Sequence, residues 1–441
     1  MNSEELKKQV GKVIDERKDI YLALGKKIYA HPETGYKEFA TTKTLGDALE
    51  ALGFSTKRNI AYTGCRAYAN QEKEGPKVVV MGELDALLCP SHPDCDKKTG
   101  AMHACGHNIQ TTVMYGVADA LKHAGILKEL AGKIDFMAVP AEEVIELDYR
   151  QKLKESGKIH YYSGKTELIA KGELDDADIC MMVHNFTFAD PKCKMAPYTF
   201  SNGFVGKQTS FLGKQSHAGQ APWDGINALN MASLAITNMH YQRETFKDQD
   251  TVRVHQIITK GGDVVNSVPA RAEMETTVRA NNIAALLDAN EKVNRSIRAA
   301  AIALGGKAQV MDSPGQLPIV PDKKLADIFK VNAQKFYQPE ELAECMRWTA
   351  SSDMGDVSAL KPVLHGLTTG IIGGLHTADY RIVNETDAYI IPIKVMAFTV
   401  IDLLCNQAVA AKDIIKNFKP TMTKAEYLQY LKDIEKTYIL S

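Results

Sequence analysis

The chain has 441 residues, of which 53 are Lys or Arg and 54 are Asp or Glu, and its formal charge is −1. A balance this even argues against a general binder of nucleic acids or membrane surfaces, and no uninterrupted apolar run reaches the length of a membrane span. The length suggests two or three domains. The eight cysteines are irregularly spaced and the N-terminal segment has no apolar leader, so we expect the cytoplasm, a reducing compartment.

The first part of the chain alternates short apolar runs with segments of helical periodicity. Three runs are continuous, as in strands buried on both faces, and they are Val78–Met81, Ile134–Val139 and Ile179–Val183. Helical segments separate them, which predicts an α/β fold with a mostly parallel sheet and helices on both faces. Sites in such sheets form beyond the carboxyl ends of the strands, and each run ends in carboxylate or imidazole residues.

The pattern changes after Pro197. Segments then follow in the order β-α-β-β-α-β, which is typical of a small ferredoxin-like α+β sandwich. We therefore predict an inserted domain over residues 198–313, and a catalytic metal-binding domain over residues 1–197 and 314–441. The two helices predicted for the inserted domain, Ile226–Arg243 and Ile283–Leu304, carry more apolar residues than one narrow stripe, which indicates further surface to bury.

The run His103–Asn108 places Cys105 and His107 two residues apart, ahead of a segment with helical periodicity. Thiolate and imidazole suit a borderline-soft divalent metal. Gly106 allows a tight turn between them, and a helix N-terminus favours the thiolate over the thiol. For an isolated Cys-x-His pair the alternative is a buried cysteine beside a capping histidine, so the prediction depends on further ligands downstream.

Such ligands are present. Glu143 and His184 follow the second and third apolar runs, and His376 lies in a Gly-rich stretch. With Cys105 and His107 they exceed the needs of one tetrahedral zinc and suit a two-metal centre with one bridging group. Such a pair of ions polarises a carbonyl and lowers the pKa of a shared water. We expect two divalent ions, Zn or Mn, with Co as a further possibility.

Two more carboxylates complete the predicted centre. Glu142, next to Glu143, is the natural general base, with a second ligand or a surface acid as the alternative. Asp85 is predicted to orient a ligand imidazole by accepting its other N–H.

Other histidines and cysteines have weaker indications. Cys89, His92 and Cys95 could form a separate zinc cluster, but three ligands in a Pro-rich loop favour a structural role. Six further histidines, His365 among them, are predicted as surface or packing residues.

With these residues assigned, the chain resembles a large family of metal-dependent amidohydrolases and metallopeptidases that includes aminoacylase-1, hippurate hydrolase and aminobenzoyl-glutamate hydrolase. The resemblance extends from His31–Glu33 to Gly374–Thr377, and His103–His107 and Pro140–Glu143 resemble the N-acyl-amino-acid and hippurate hydrolase branch. It implies a bridging role for the cysteine. It also implies five metal ligands and one base, which are Cys105, His107, Glu143, His184 and His376, with Glu142 as the base.

Three departures from that branch concern the substrate. Asn108 stands where many relatives have aspartate, and Cys89–Thr99 reads as an insertion. Gly82–Asp85 and Trp223 are more similar to aminobenzoyl-glutamate hydrolases and β-alanyl dipeptidases. The metal site is unaffected, but the substrate stays open.

The resemblance also assigns roles in the inserted domain. It implies that His217 stabilises the oxyanion of the scissile carbonyl, usually from the partner subunit of a dimer. It implies that Asn266 and Arg279 lie in the region that binds the substrate carboxylate. Arg279 can bind a carboxylate bidentately, and the alternative for it is an ion pair on a surface strand.

The sequence thus predicts a homodimeric enzyme that hydrolyses an amide bond in a small molecule. The substrate is an N-acyl amino acid, an aminobenzoyl-glutamate-like conjugate or a small dipeptide. One alternative is hydrolysis of another carbon–nitrogen bond, such as that of an N-carbamoyl amino acid. The other is an inactive relative that only binds metal or ligand.

Overall fold

The computed structural model describes residues 2–441. The helices of this part are α1 (Ser3–Tyr29), α2 (Phe39–Ala51), α3 (His107–His123), α4 (Leu147–Glu155), α5 (Gly164–Ala170), α6 (Ala228–Tyr241), α7 (Ile283–Ala303), α8 (Lys323–Ala333), α9 (Met354–Ser358), α10 (Ile391–Leu404), α11 (Val409–Asn417) and α12 (Lys424–Ile434). Its strands are β1 (Ser55–Ile60), β2 (Gly64–Ala69), β3 (Lys77–Glu83), β4 (Leu87–Leu88), β5 (Ala101–Met102), β6 (Lys133–Val139), β7 (Ile179–Asn185), β8 (Met195–Ala196), β9 (Thr199–Ser201), β10 (Gly203–Leu212), β11 (Arg253–Lys260), β12 (Arg271–Ala280), β13 (Lys307–Pro314), β14 (Met346–Trp348), β15 (Val363–Thr368), β16 (Ile371–Ile372), β17 (Arg381–Ile382) and β18 (Lys436–Leu440).

The chain forms two compact units. Unit 1 contains the chain up to Phe200, together with Val320–Arg347 and Asp356–Thr421. Unit 2 contains Ser201–Ile319, Trp348–Gly355 and Met422–Ser441.

Unit 1 contains a seven-stranded sheet in the order β1-β2-β6-β3-β7-β15-β8. Its four central strands, β6, β3, β7 and β15, run parallel, and each outer strand pairs antiparallel with its inner neighbour. Helix α3 packs against β3, and α1 and α10 pack against α3. Every residue of β3 is buried, as the continuous apolar run predicts. The predicted fold class, a mostly parallel sheet with helices packed on it, is confirmed.

Unit 2 is built on a five-stranded antiparallel sheet in the order β11-β12-β10-β13-β18. Strand β10 alternates buried and half-buried residues, so one of its faces lies in the core. Helices α6 and α7 pack on this sheet and on each other. The elements from β10 to β13 follow the predicted β-α-β-β-α-β order.

The segment after Thr421 lies in unit 2, whereas the sequence places residues 314–441 with the metal-binding domain. Helix α12 starts at a capping box between Thr423 and Glu426 and buries Ile434 in the unit 2 core. Strand β18 then pairs with β13 and buries Leu440 in the same core. A short amphipathic helix and a five-residue strand carry too little sequence pattern to show which domain they join.

One pair of consecutive helices has the length and hydropathy of a membrane span. No single helix within residues 2–441 is long and apolar enough to cross a membrane. Helices α10 and α11, each taken with the short helical turn before it, form the bent pair Thr386–Leu404 and Asn406–Asn417. This pair reaches the required length and hydropathy only when both helices are taken together.

Candidate metal centre and active site

The parallel strands of unit 1 deliver polar residues to one edge of the sheet. Strand β3 ends at Glu83, and Asp85 follows two residues later. Glu142 and Glu143 follow the end of β6, and His184 is the penultimate residue of β7. Because parallel strands present their carboxyl ends at the same edge, these side chains converge there.

Cys105 lies just ahead of helix α3, which begins at His107. Gly106 caps the helix in a left-handed conformation with φ of 75°, and a Cβ there would lie 1.9 Å from Asn185 Oδ1. Glycine is therefore required for both the turn and the close approach. Burial opposes ionisation of the Cys105 thiol, but His184, His107 and His376 together outweigh it and the pKa falls to about 6, which favours a thiolate ligand.

Cys105, His107 and His184 form a first ligand group, with one ligand atom of each within 4.8 Å of the others. His184 Nε2 lies 3.5 Å from Cys105 Sγ, and its Nδ1 lies 2.7 Å from the Asn185 carbonyl oxygen. His107 Nδ1 lies 3.2 Å from Asp85 Oδ1. In both rings Nδ1 faces an oxygen acceptor, so a metal would be bound through Nε2.

Cys105, Glu143 and His376 form a second group that meets the same 4.8 Å limit. Asp85 links the two groups, because its Oδ2 accepts the backbone N–H of Glu143 at 2.9 Å. The His376 side chain is half exposed and therefore marks the side open to solvent. Its backbone is left-handed, with φ of 64°, and such strain of roughly 1–3 kcal/mol is typical of functional positions.

A third group joins Glu83, His107 and Glu142 within the same limit. Both carboxylates are buried. Glu83 receives no role in the sequence analysis. It lies two residues before Asp85 at a strand end, and residues two apart in a strand point to the same face, so this spacing could have indicated it. Burial opposes the charge of Glu83, but Lys165 and then His107 outweigh burial and lower its pKa to about 2.

The loop that carries the predicted base is anchored from elsewhere in unit 1. Glu38 Oε1 accepts the backbone N–H of Ala141 at 2.7 Å, and its Oε2 accepts the Thr63 hydroxyl at 2.6 Å. Glu38 is fully buried and was not predicted as a site residue. It fixes the backbone immediately before Glu142.

The donor set fits two divalent ions that share Cys105. Glu143 Oε1 lies 2.9 Å from His376 Nε2, yet this buried oxygen has no hydrogen-bond partner. The two atoms form an ion pair if His376 is protonated, and the same spacing would let a neutral His376 and Glu143 bind one ion.

The charges of the side chains in the site also favour bound cations. Burial alone would lower the pKa of each ligand imidazole, but Cys105 and the neighbouring carboxylates together outweigh burial and raise the pKa of all three. The affected residues are His107, His184 and His376, and the last reaches a pKa of about 11. The negative donors therefore attract positive charge, which a bound divalent ion supplies.

Two other histidines lie close to this centre. The ring centroid of His365 lies 5.9 Å from that of His184, and His365 is fully buried in β15. Burial lowers the pKa of His365 to about 3, so it is neutral. His103 is also buried, and burial lowers its pKa to about 3 as well. Both are packing residues beside the ligands.

The insertion Cys89–Thr99 is the loop between the paired strands β4 and β5. The buried His92 places Nε2 2.9 Å from the Tyr380 carbonyl oxygen, and Cys95 Sγ donates to the Pro90 carbonyl at 3.5 Å. Among residues 2–441, the groups able to hold a metal do not include Cys89, His92 or Cys95.

The predicted site residues of unit 2 lie in a different environment. His217 is exposed, and its Nδ1 accepts the backbone N–H groups of Gly219 and Gln220 at 3.2 and 3.0 Å. In the neutral ring the proton therefore sits on Nε2, which is a hydrogen-bond donor. The N–H of Ala218 donates to the carbonyl of Asn266 at 3.0 Å, which brings the two predicted loops together.

Arg279 lies on β12, where its guanidinium stacks on Phe204 with 5.1 Å to the ring centroid. It also donates to the Ser351 hydroxyl at 2.7 Å. These two contacts fix the plane of the guanidinium, as a bidentate carboxylate site requires.

Comparison with known proteins identifies the inserted unit. Residues 201–303 match the family model M20_dimer, the peptidase dimerisation domain. The inserted unit is thus similar to the dimerisation domain of M20 peptidases. The predicted resemblance to the metallopeptidase and amidohydrolase family is confirmed.

Two curated relatives and one solved structure extend the similarity over the chain. A mouse (Mus musculus) Xaa-Arg dipeptidase is 28% identical over 96% of this chain and 94% of its own length. A p-aminobenzoyl-glutamate hydrolase polypeptide from Escherichia coli is 27% identical over 68% of this chain and 59% of its own length. A Bacillus subtilis dinuclear metal binding peptidase from the M20 family shares the fold, with a TM-score of 0.65, 20% identity and coverage of 88% of this chain and 98% of its own.

Proposed function

We propose that this M20 homologue hydrolyses the amide bond of an N-acyl amino acid, an aminobenzoyl-glutamate-like conjugate or a small dipeptide. The observation that carries the proposal is the pair of ligand groups that share Cys105, with Glu142 beside them. The names of the relatives, a dipeptidase and an aminobenzoyl-glutamate hydrolase, fall in the same class of reaction.

The ligands proposed for two divalent ions are Cys105, His107 and His184 on one side, and Cys105, Glu143 and His376 on the other. Zn and Mn, with Co as a further possibility, suit this mixture of thiolate, imidazole and carboxylate. Bound there, the ions would polarise the amide carbonyl and activate a water molecule.

The remaining roles belong to side chains of the chain itself. Glu142 takes a proton from the attacking water and delivers it to the leaving amine. Asp85 keeps the His107 ring in place through Nδ1. The Nε2–H of His217 stabilises the oxyanion that forms on the carbonyl oxygen.

The substrate is proposed to carry a free carboxylate next to the scissile amide. Arg279, with its guanidinium plane held by stacking on Phe204, is proposed to bind this carboxylate. Asn266 supplies a further polar contact from the loop paired with that of His217.

A homodimer is proposed as the assembly, with His217 contributed by the partner subunit. The dimerisation-domain match supports it, and so does the open edge of the unit 2 sheet. Edge strand β11 pairs with β12 on one side, and Ile257 on it is 52% exposed. We place the enzyme in the cytoplasm, where its free thiols, seven of eight buried, remain reduced.

A substrate panel tests the proposal. Purified protein loaded with Zn, Mn or Co is offered N-acyl amino acids, aminobenzoyl-glutamate and dipeptides, and its metal content is measured in parallel. We expect two ions per chain and amide cleavage in at least one class. Protein that holds two ions but cleaves none of these, while it releases carbamate from N-carbamoyl amino acids, would overturn the assignment.

A further inference from the structure

Lys165 and Glu83 form an ion pair in the interior of unit 1. Lys165 lies in the short helix α5, Glu83 ends strand β3, and neither side chain is exposed. The ammonium contacts Glu83 Oε1. Burying two charges is costly, and a well-packed apolar pair of similar volume is often equally stable. Stability alone therefore does not explain why this buried ion pair is present.

The second oxygen of Glu83 faces the metal centre. Glu83 Oε2 lies 3.2 Å from His107 Nε2, and neither of these buried atoms has a hydrogen-bond partner. The other ring nitrogen of His107 is already held by Asp85. Two donors bound at ~2.1 Å to one ion at a tetrahedral angle lie ~3.4 Å apart, close to the observed spacing.

A second buried pair in the molecule shows what a structural pair looks like. In unit 2, Lys207 contacts Asp312 Oδ1, and both side chains are buried. Asp312 Oδ2 accepts hydrogen bonds from Asn290 at 3.1 Å and from the Tyr438 hydroxyl at 2.9 Å. Both oxygens of Asp312 thus accept hydrogen bonds, whereas Oε2 of Glu83 accepts none and faces His107, a predicted metal ligand.

We propose that Glu83 is a further ligand of the divalent ion held by His107, and that Lys165 is the positioning residue that fixes its carboxylate. The inference rests on the two-metal centre of the proposed function. It adds an anionic donor to the group of Cys105, His107 and His184, which otherwise contains a single anionic ligand. Lys165 holds Oε1 and thereby directs Oε2 toward the ion.

Metal titration of the intact chain tests this proposal. Metal-free protein is titrated with Zn²⁺ against a chromophoric chelator, and Co²⁺ reconstitution reports coordination through its visible absorption. In Glu83→Gln we expect one of two sites to weaken ~10–100-fold, with a changed Co²⁺ spectrum, while the other site is unaffected. Lys165→Met should weaken the same site by a smaller factor.

Lys207→Met is the matched control, because it breaks a buried lysine–carboxylate pair in unit 2, whereas the proposed ligands belong to unit 1. It should lower the melting temperature while both metal affinities stay at the wild-type values. Melting of each metal-free variant shows whether it folds, and Glu83→Asp, which keeps the charge, should recover part of the affinity if Glu83→Gln is unstable.

The outcomes separate this inference from the proposed function. Wild-type protein that binds two ions, with Glu83→Gln and Lys165→Met unchanged in affinity and spectrum, overturns the inference alone. Equal weakening of both sites in Glu83→Gln also overturns it, because Glu83 would then support the centre as a whole. Wild-type protein that binds no ion overturns the inference and the proposed function together.

Discussion

The candidate residues of unit 1 and those of unit 2 are held in opposite ways. In unit 1, Glu83, Cys105 and His184 are buried, and Glu83 and His184 are each held by a further contact, to Lys165 and to the Asn185 carbonyl. In unit 2, His217 and Asn266 are exposed on paired loops. The first set is arranged by the fold before any ligand arrives, whereas the second set presents polar groups that only a ligand or partner would cover.

The largest effect is expected from replacing Cys105, the ligand that both groups share. Cys105→Ser replaces a thiolate with a hydroxyl that stays protonated near neutral pH, so both ligand groups lose a donor. We expect metal content and activity to be lost together, as measured by elemental analysis and turnover. Full metal content at the wild-type rate would show that Cys105 does not bridge two ions.

Glu142→Gln tests whether Glu142 is the general base or a metal ligand. The amide keeps the shape of the side chain but cannot accept the proton of the water, so turnover should fall ~10²–10⁴-fold. Metal content should remain at the wild-type level, because the ligands are untouched. A parallel fall of metal and rate would mean that Glu142 is a ligand instead.

His217→Ala tests whether the exposed set takes part in the reaction. Loss of an oxyanion donor should reduce kcat ~10²–10³-fold without a change in metal content. A wild-type rate in a folded His217→Ala protein would remove His217 from the mechanism.

A mixing experiment sharpens the same point. Inactive His217→Ala chains are mixed with inactive Glu142→Gln chains, and subunit exchange is followed with a tagged copy. If His217 acts on the centre of its partner, each mixed dimer contains one site with both defects and one with neither, so activity returns. Exchange without recovery would place both residues in the same chain's site.

The smallest effect is expected at Arg279. Arg279→Lys keeps the charge but loses the planar pair of donors and the stacking on Phe204. We expect kcat/KM to fall ~10-fold, equivalent to about 1.5 kcal/mol for one hydrogen bond to a charged group. The control is a substrate with its carboxylate converted to an amide, for which wild-type and variant should be equally slow.

Sequence pattern predicts unit 1 well because its signals are local. A strand buried on both faces reads as a continuous apolar run, and the residues that follow each run lie at one edge of the parallel sheet. Glu143 and His184 follow from that rule, and Cys105 and His107 from their spacing, whereas His376 lies in a Gly-rich stretch outside both patterns. The structure brings these ligand candidates together in two groups that share Cys105.

The residues that sequence reasoning missed depend on long-range pairing. Lys165 lies 82 residues from Glu83, and a lysine in a helix is normally exposed, so no local pattern indicates their contact. Glu38 lies 103 residues from Ala141, whose backbone it holds. The placement of helix α12 and strand β18 in unit 2 was missed for a similar reason, because short elements carry no sequence pattern that indicates which distant sheet they join.

The pairing of β18 with β13 sets the order in which the inserted sheet can be completed on the ribosome. Four strands of unit 2 are made by Pro314, but Val320–Arg347 and Asp356–Thr421 of unit 1 are synthesised before Lys436–Leu440 emerges. During that interval the outer edge of β13 is an open hydrogen-bonding strand. Nascent chains are therefore most exposed to strand-mediated misassembly while the metal-binding unit is still being completed.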